Sequence, residues 1–230
     1  MPIVAFTEDL HYHGQDGVII APFFSPTPST DPTVAMKRNV QIIDRREVFR
    51  KFVFRIEEVR LKHERFDGSL SDEIVRLNLD RGDSVAGLVH DTKRDMVVLC
   101  EQFRYPTVEK GPGWILELPA GVLEPGEEPI DSIRREILEE VGYKADRCEH
   151  IATVYLSPGG SSERIHLYYV PLTPEARTSE GGGVASEGED IRIVCMPVTE
   201  AMEKMRRGEI VDAKTLIALQ WLQRYRFVTS

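Results

Sequence analysis

The stretch Gly121–Tyr143, GVLEPGEEPIDSIRREILEEVGY, constrains this chain more than any other. A glycine-bearing turn feeds a helix with Pro129 in its first turn and Gly142 just past its end, so both boundaries are written in the sequence. Glu136 and Glu140 are four residues apart, a spacing at which like charges on a helix repel, and neither has a basic residue three or four positions away inside the helix. Arg135 is placed to pair with Glu139 at i,i+4. Ile130, Ile133, Ile137 and Val141 make an apolar stripe that docks the helix, and the two glutamates fall just to one side of it, at the edge of a cleft. Hard divalent cations compensate such carboxylates, since Mg²⁺ takes oxygen ligands and commonly uses one or two carboxylates plus substrate phosphates.

The 230-residue chain has ample length for a substantial core, as one large domain or one domain with a smaller companion. A net charge of −9 and a pI near 5.3 argue against nucleic acid and against an anionic membrane as partners, because both require a basic face. Cys100, Cys148 and Cys195 lie far apart beside apolar residues, a pattern of neither disulfide framework nor zinc site, and are expected reduced and buried. With no signal-peptide pattern and no apolar run of membrane-spanning length, a cytoplasmic location is expected.

Residues 1–36 hold a proline-rich run and read as an extended arm, with His11 and His13 incidental. From Val40 the pattern becomes strands, VQIIDRREVF, KFVFRIEEVRLKHE and EIVRLNLDRG, the last two separated by the turn FDG, so residues 37–82 are expected to form a small antiparallel sheet domain. Residues 83–230 then form the main domain. SVAGLVHD and DMVVLCEQF read as a hairpin, WILELPAG as one further short strand, and CEHIATVYLS and RIHLYYVPL as strands around SPGGSSE. TSEGGGVASEGED is a glycine-rich loop bearing an acidic Glu189-Asp190 pair, followed by the strand IRIVCMPV. A short helix capped by Thr199 runs to Arg207, and Asp212 opens a last one. The expected class is α+β with a mixed sheet.

Fixed positions within the opening stretch carry a sharper message. Gly121, Glu127, Arg135-Glu136, Ile137, Glu139-Glu140, Gly142 and an apolar Tyr143 fall at the offsets of the complete Nudix box, so the chain resembles the Nudix hydrolases. The resemblance implies an α/β/α sandwich and cleavage of a nucleoside diphosphate linked to another moiety. It makes Glu136 and Glu140 the principal ligands of Mg²⁺, with Mn²⁺ as a substitute, Glu139 and the backbone carbonyl of Ala120 further ligands, and Arg135 the residue that orients the glutamates. LSPGGSSERI and EDIRI are similar to one branch, the ADP-ribose pyrophosphatases, in which the first segment supplies a general base, here Glu163.

The same branch implies that Arg104, in EQFR, contacts the phosphate or ribose, for which a planar guanidinium fork is suited. Phe52 and Arg76 match residues that stack on and hydrogen-bond the adenine from the second subunit of a homodimer with exchanged N-terminal sheets. From the strand pattern alone Phe52 reads equally as strand core and Arg76 as an exposed ladder residue. DAKTLIAL and the glycine-rich loop also resemble hydrolases of GDP-mannose and related sugars, so a GDP- or UDP-sugar stands as the alternative substrate. A non-catalytic nucleotide-sugar sensor would lack box glutamates and carry a basic appendage, whereas here the box is intact and the chain acidic.

Overall fold

A computed structural model describes residues 38–229 except positions 185 and 187; the proline-rich arm, with His11 and His13, lies outside the described residues. From Val40 onward the described residues form one compact unit.

Three strands, β1 (Val40–Lys51), β2 (Phe54–His63) and β3 (Ile74–Asp80), make an antiparallel sheet in the order β1-β2-β3. The seven-stranded second sheet contains β4 (Ser84–Asp91), β5 (Met96–Phe103), β6 (Trp114–Glu117), β7 (Ala120–Val122), β8 (Glu149–Tyr155), β9 (Arg164–Leu172) and β10 (Arg192–Pro197). Its main path runs β10-β5-β4-β9-β8, and β4 with β9 is its parallel pair. Three helices accompany it: α1 (Pro129–Val141), α2 (Val198–Arg206) and α3 (Ala213–Thr229). Strand alternation explains the layers. Val85, Val89, Val98 and Cys100 face α1 with Ile133, Ile137 and Val141, whereas Ala86, Leu88, Val97 and Leu99 pack toward α3 with Ala218, Leu219 and Leu222.

Four local expectations change. WILELPAG is two strands, because Pro119 has no N–H for a ladder; β6 pairs with β5, and β7 crosses to pair with β4. Phe52 is not in a strand: Phe52 and Val53 form the two-residue turn of the β1–β2 hairpin, with Phe52 at φ +53°. Helix α2 begins two residues early, with Pro197 rather than Thr199 at its N-cap position and no side-chain cap. Cys100 alone of the cysteines is buried; Cys148 is half-buried and Cys195 exposed on β10.

Candidate active site

The site is built where the second sheet forks. Strands β4 and β5 pair through Val89–Asp91 and Met96–Val98, but the other half of β4 pairs with β7, and Cys100–Phe103 of β5 pair with β6. Helix α1 lies across this fork. Gly87 on β4 permits the approach, since a Cβ there would stand 3.0 Å from the Cδ1 atoms of both Ile133 and Ile137. The helix begins at Pro129 and ends at Gly142, whose φ of +77° is the left-handed conformation a glycine adopts without a Cβ penalty.

With its apolar stripe buried, α1 carries Glu136 and Glu140 down with it, leaving them 8% and 1% exposed. The Glu136 carboxylate occupies the space above Gly121: a Cβ on that residue would lie 1.8 Å from Oε1. Deeper in, Glu140 Oε2 accepts the Ala120 backbone N–H at 2.9 Å and faces Cys100 Sγ at 3.7 Å. Burial pushes the two carboxyls up to about 7 and about 8 respectively, against the counteracting pull of Arg135 on Glu136 and of the Ala120 N–H on Glu140. The Cys100 thiol is pushed up far more, by burial first and then by Glu140.

Arg135 compensates more than the helix spacing foretells. Its guanidinium reaches Glu139 Oε2 at 3.1 Å, but also the adjacent Glu136 Oε1 at 2.8 Å and both oxygens of Glu127 at 3.2 Å. Glu139 therefore stands on the flank, more exposed than the other two. Among the described residues no three acidic, histidine or cysteine side chains close a coordination shell as they stand. The donor set nonetheless suits a hard divalent cation: acceptor-only oxygens, two of them on buried carboxylates, in a cradle that a side chain at Gly121 would fill.

The glycine-rich loop brings in a residue that the sequence reading left aside. Gly182 and Gly183 donate N–H groups to the carbonyls of Glu140 and Glu139, and Thr178 donates to that of Gly142, so the loop satisfies the free carbonyls at the C-terminus of α1. Glu189 accepts the Val184 N–H at 2.8 Å, and its charge acts on both Glu136 and Glu140. The only sequence signal was an acidic pair beside glycines.

Glu163 has different company. Its Oε1 accepts a hydrogen bond from Ser84 Oγ and lies 3.8 Å from Arg81 Nε, while Arg81 in turn sits 5.9 Å from the Phe54 ring. The loop before it is tied to the small sheet by Leu79 N–H to Gly160 O and Ser162 N–H to Leu79 O. Phe52, at the hairpin tip, is 86% exposed, and Arg76 is exposed on β3 with its Nη1 on the Val75 carbonyl. Arg104, at the end of β5, donates Nε to Glu117 at 2.8 Å. The fold thus gathers Ala120, Glu136, Glu140 and Glu189 at the fork, keeps Glu139 on its flank, and places Phe52 and Arg76 on the small sheet.

A Nudix domain profile matches residues 80–219, more than half of the chain. The chain belongs to the Nudix family. It is 38% identical over 200 residues to the ADP-ribose pyrophosphatase of Escherichia coli (strain K12), spanning 85% of this chain and 93% of that protein. It is also 38% identical over 193 residues to the GDP-mannose pyrophosphatase of Cronobacter sakazakii (strain ATCC BAA-894), spanning 82% of this chain and 97% of the other. Among solved structures an ADP compounds hydrolase superposes with a TM-score of 0.65 at 20% identity, covering 83% of this chain and 96% of that one, a likeness of Nudix fold alone. No helix among the described residues is long and apolar enough to cross a membrane.

Proposed function

We propose that this Nudix protein hydrolyses the pyrophosphate of a nucleoside-diphosphate sugar, with ADP-ribose as substrate and AMP and ribose 5-phosphate as products. The observation that carries the reading is the pair Glu136 and Glu140, buried at the sheet fork on a complete Nudix box, in a chain that spans nearly the whole of an ADP-ribose pyrophosphatase relative. Mg²⁺, or Mn²⁺ in its place, would be held by Glu136, Glu140, Glu139 and the Ala120 carbonyl. When bound it neutralises the pyrophosphate and makes water a better nucleophile. Arg135 keeps Glu136 and Glu139 oriented, and Arg104 meets a phosphate or the ribose.

A carboxylate accepts the proton of the attacking water as the phosphorus–oxygen bond breaks. The sequence resemblance assigns this role to Glu163; Glu189, on the loop whose Gly182 and Gly183 cap the C-terminus of α1, is the second candidate. Separate Glu163→Gln and Glu189→Gln variants decide it, because the base variant loses kcat by about a hundredfold or more and the other does not.

The second substrate reading, GDP-mannose or a UDP-sugar, rests on the equal identity to a GDP-mannose pyrophosphatase. Product identification across ADP-ribose, GDP-mannose and UDP-sugars with Mg²⁺ and Mn²⁺ tests both. Background turnover of ADP-ribose beside rapid cleavage of another sugar would sink the ADP-ribose assignment.

The active form is a cytoplasmic homodimer joined through the small sheet. All of β1 is exposed, including Val40, Ile42, Ile43, Val48 and Phe49, and an uncovered apolar edge strand invites pairing. A second copy would bring its Phe52 and Arg76 to the adenine. A monomeric mass in light scattering at micromolar concentration would refute this.

A further inference from the structure

Glu117 lies at the end of β6, 3% exposed, and holds two cations. One is Arg104, through Nε to Oε1 at 2.8 Å; the other is Lys214, whose Nζ binds Oε2 and is itself almost wholly buried. The lysine arrives from the first turn of α3, where Asp212 accepts from its Nζ at 2.9 Å and from the Thr215 N–H at 2.9 Å. Thr215 Oγ1 then accepts the Leu118 N–H at 2.9 Å. Glu117 and Leu118 are therefore fixed to α3, and the clamp adjoins the glutamates: Glu117 is among the charges acting on Glu140, and the Cys100 thiol feels Glu140, Glu117 and Arg104 together.

Arg104 is 42% exposed at its side chain, and among the described residues neither of its terminal nitrogens makes a hydrogen bond to the protein. One edge of the guanidinium is thus committed and the other is presented outward. A carboxylate facing Arg104 alone would orient it and also cancel its charge, weakening it toward a phosphate. Lys214 eases that conflict by supplying Glu117 with a second, buried cation, which it shares with Asp212.

We propose that Glu117 and Lys214 are a paired positioning device for substrate binding, in which Glu117 orients Arg104 and Lys214 absorbs the charge of Glu117, so that Arg104 stays cationic toward a substrate phosphate. The inference rests on the reading that Arg104 meets the substrate.

Steady-state kinetics of the full chain with Mg²⁺ and ADP-ribose, or whichever nucleoside-diphosphate sugar the panel shows to be cleaved, test it in four variants. Arg104→Ala raises KM by about tenfold or more. Lys214→Met raises KM by about tenfold and leaves kcat within about threefold, because Glu117 then neutralises Arg104. Adding Glu117→Gln to Lys214→Met removes the excess anion and returns KM to within about threefold of the parent. A purely structural role would instead lower thermal stability and depress kcat and KM behaviour together, with the double variant no better than the single. An unchanged KM in Arg104→Ala overturns the proposal through Arg104 itself; a raised KM there beside an unchanged KM in Lys214→Met overturns it at the clamp. Should Lys214→Met fail to fold, Glu117→Gln alone decides: it keeps an acceptor for Arg104 and frees its charge, so KM stays equal or falls, and a tenfold rise would refute the device.

Discussion

The Nudix helix and the small sheet, both assigned to the substrate in the function proposed above, stand in opposite physical states. On α1 every functional group is over-determined: Glu136 fits against a missing Cβ, Glu140 is bonded to Ala120, and Arg135 grips three carboxylates. On the small sheet Phe52 sits at a hairpin tip, the exposed Arg76 side chain bonds the Val75 carbonyl of its own strand, and all of β1 is exposed. Bond cleavage needs carboxylates placed within fractions of an ångström, and one chain supplies that placement. In the proposed reading, recognition at the outer end is left open for a second copy to complete.

The largest effect should come from the over-determined side. Glu140→Gln keeps the shape and the acceptor for Ala120 but removes a charge, and kcat should fall by about a hundredfold or more with KM little changed. A loss under about tenfold would break the metal assignment. Next in size is Gly121→Ala: the added Cβ collides with the Glu136 carboxylate, which must leave its cradle, so kcat should drop by about ten- to a hundredfold while the melting temperature moves by only a few degrees. Unchanged kinetics would show that the cradle does not set Glu136.

On the open side the expected changes are smaller and of another kind. Phe52→Ala should raise KM by about tenfold through lost stacking and leave stability untouched, since the ring is 86% exposed. A double substitution Ile42→Asp and Val48→Lys on β1 should yield monomers by light scattering and reproduce that KM rise. Monomers with an unaltered KM would separate dimerisation from substrate binding and break the contrast.

How far the sequence was legible follows the same division. Helix α1 could be read to both ends because proline, glycine and an isoleucine stripe act within the segment itself, and the Nudix box placed Glu136 and Glu140 with it. Features set by distant partners were not readable. Glu117 and Lys214 are 97 residues apart, and nothing local marks them as a pair. Glu189 reaches the site only because its loop caps α1. The turn at Phe52 carried no glycine or asparagine, so the apolar run looked like continuous strand. Pro119, a residue without an N–H to donate, marks the break between β6 and β7, but WILELPAG reads by its pattern as one strand across it.

The smallest predicted effect tests the electrostatics of the buried pair directly. Folding raises Glu136 and Glu140 from an ordinary carboxyl value of 4.5 to about 7 and about 8, so between those limits the folded state binds more protons than the unfolded one. Stability contributed by protonation is then complete below about pH 4.5 and is lost as pH rises through about 7 and 8. A divalent cation held by Glu136 and Glu140 would replace those protons, so its stabilisation should grow over the same interval. With saturating Mg²⁺, the rise in melting temperature should be a few degrees larger at about pH 8 than at about pH 5.5, consistent with a difference on the order of 1 kcal/mol in a chain of this size. Comparing each pH with and without Mg²⁺ cancels the surface ion pairs, which titrate alike in both. Glu140→Gln should flatten the difference. The same variant leaves the small sheet intact, so Arg76 and Phe52 substitutions should leave the Mg²⁺ increment unchanged; a shift there would mean that the open end and the buried end are one coupled site.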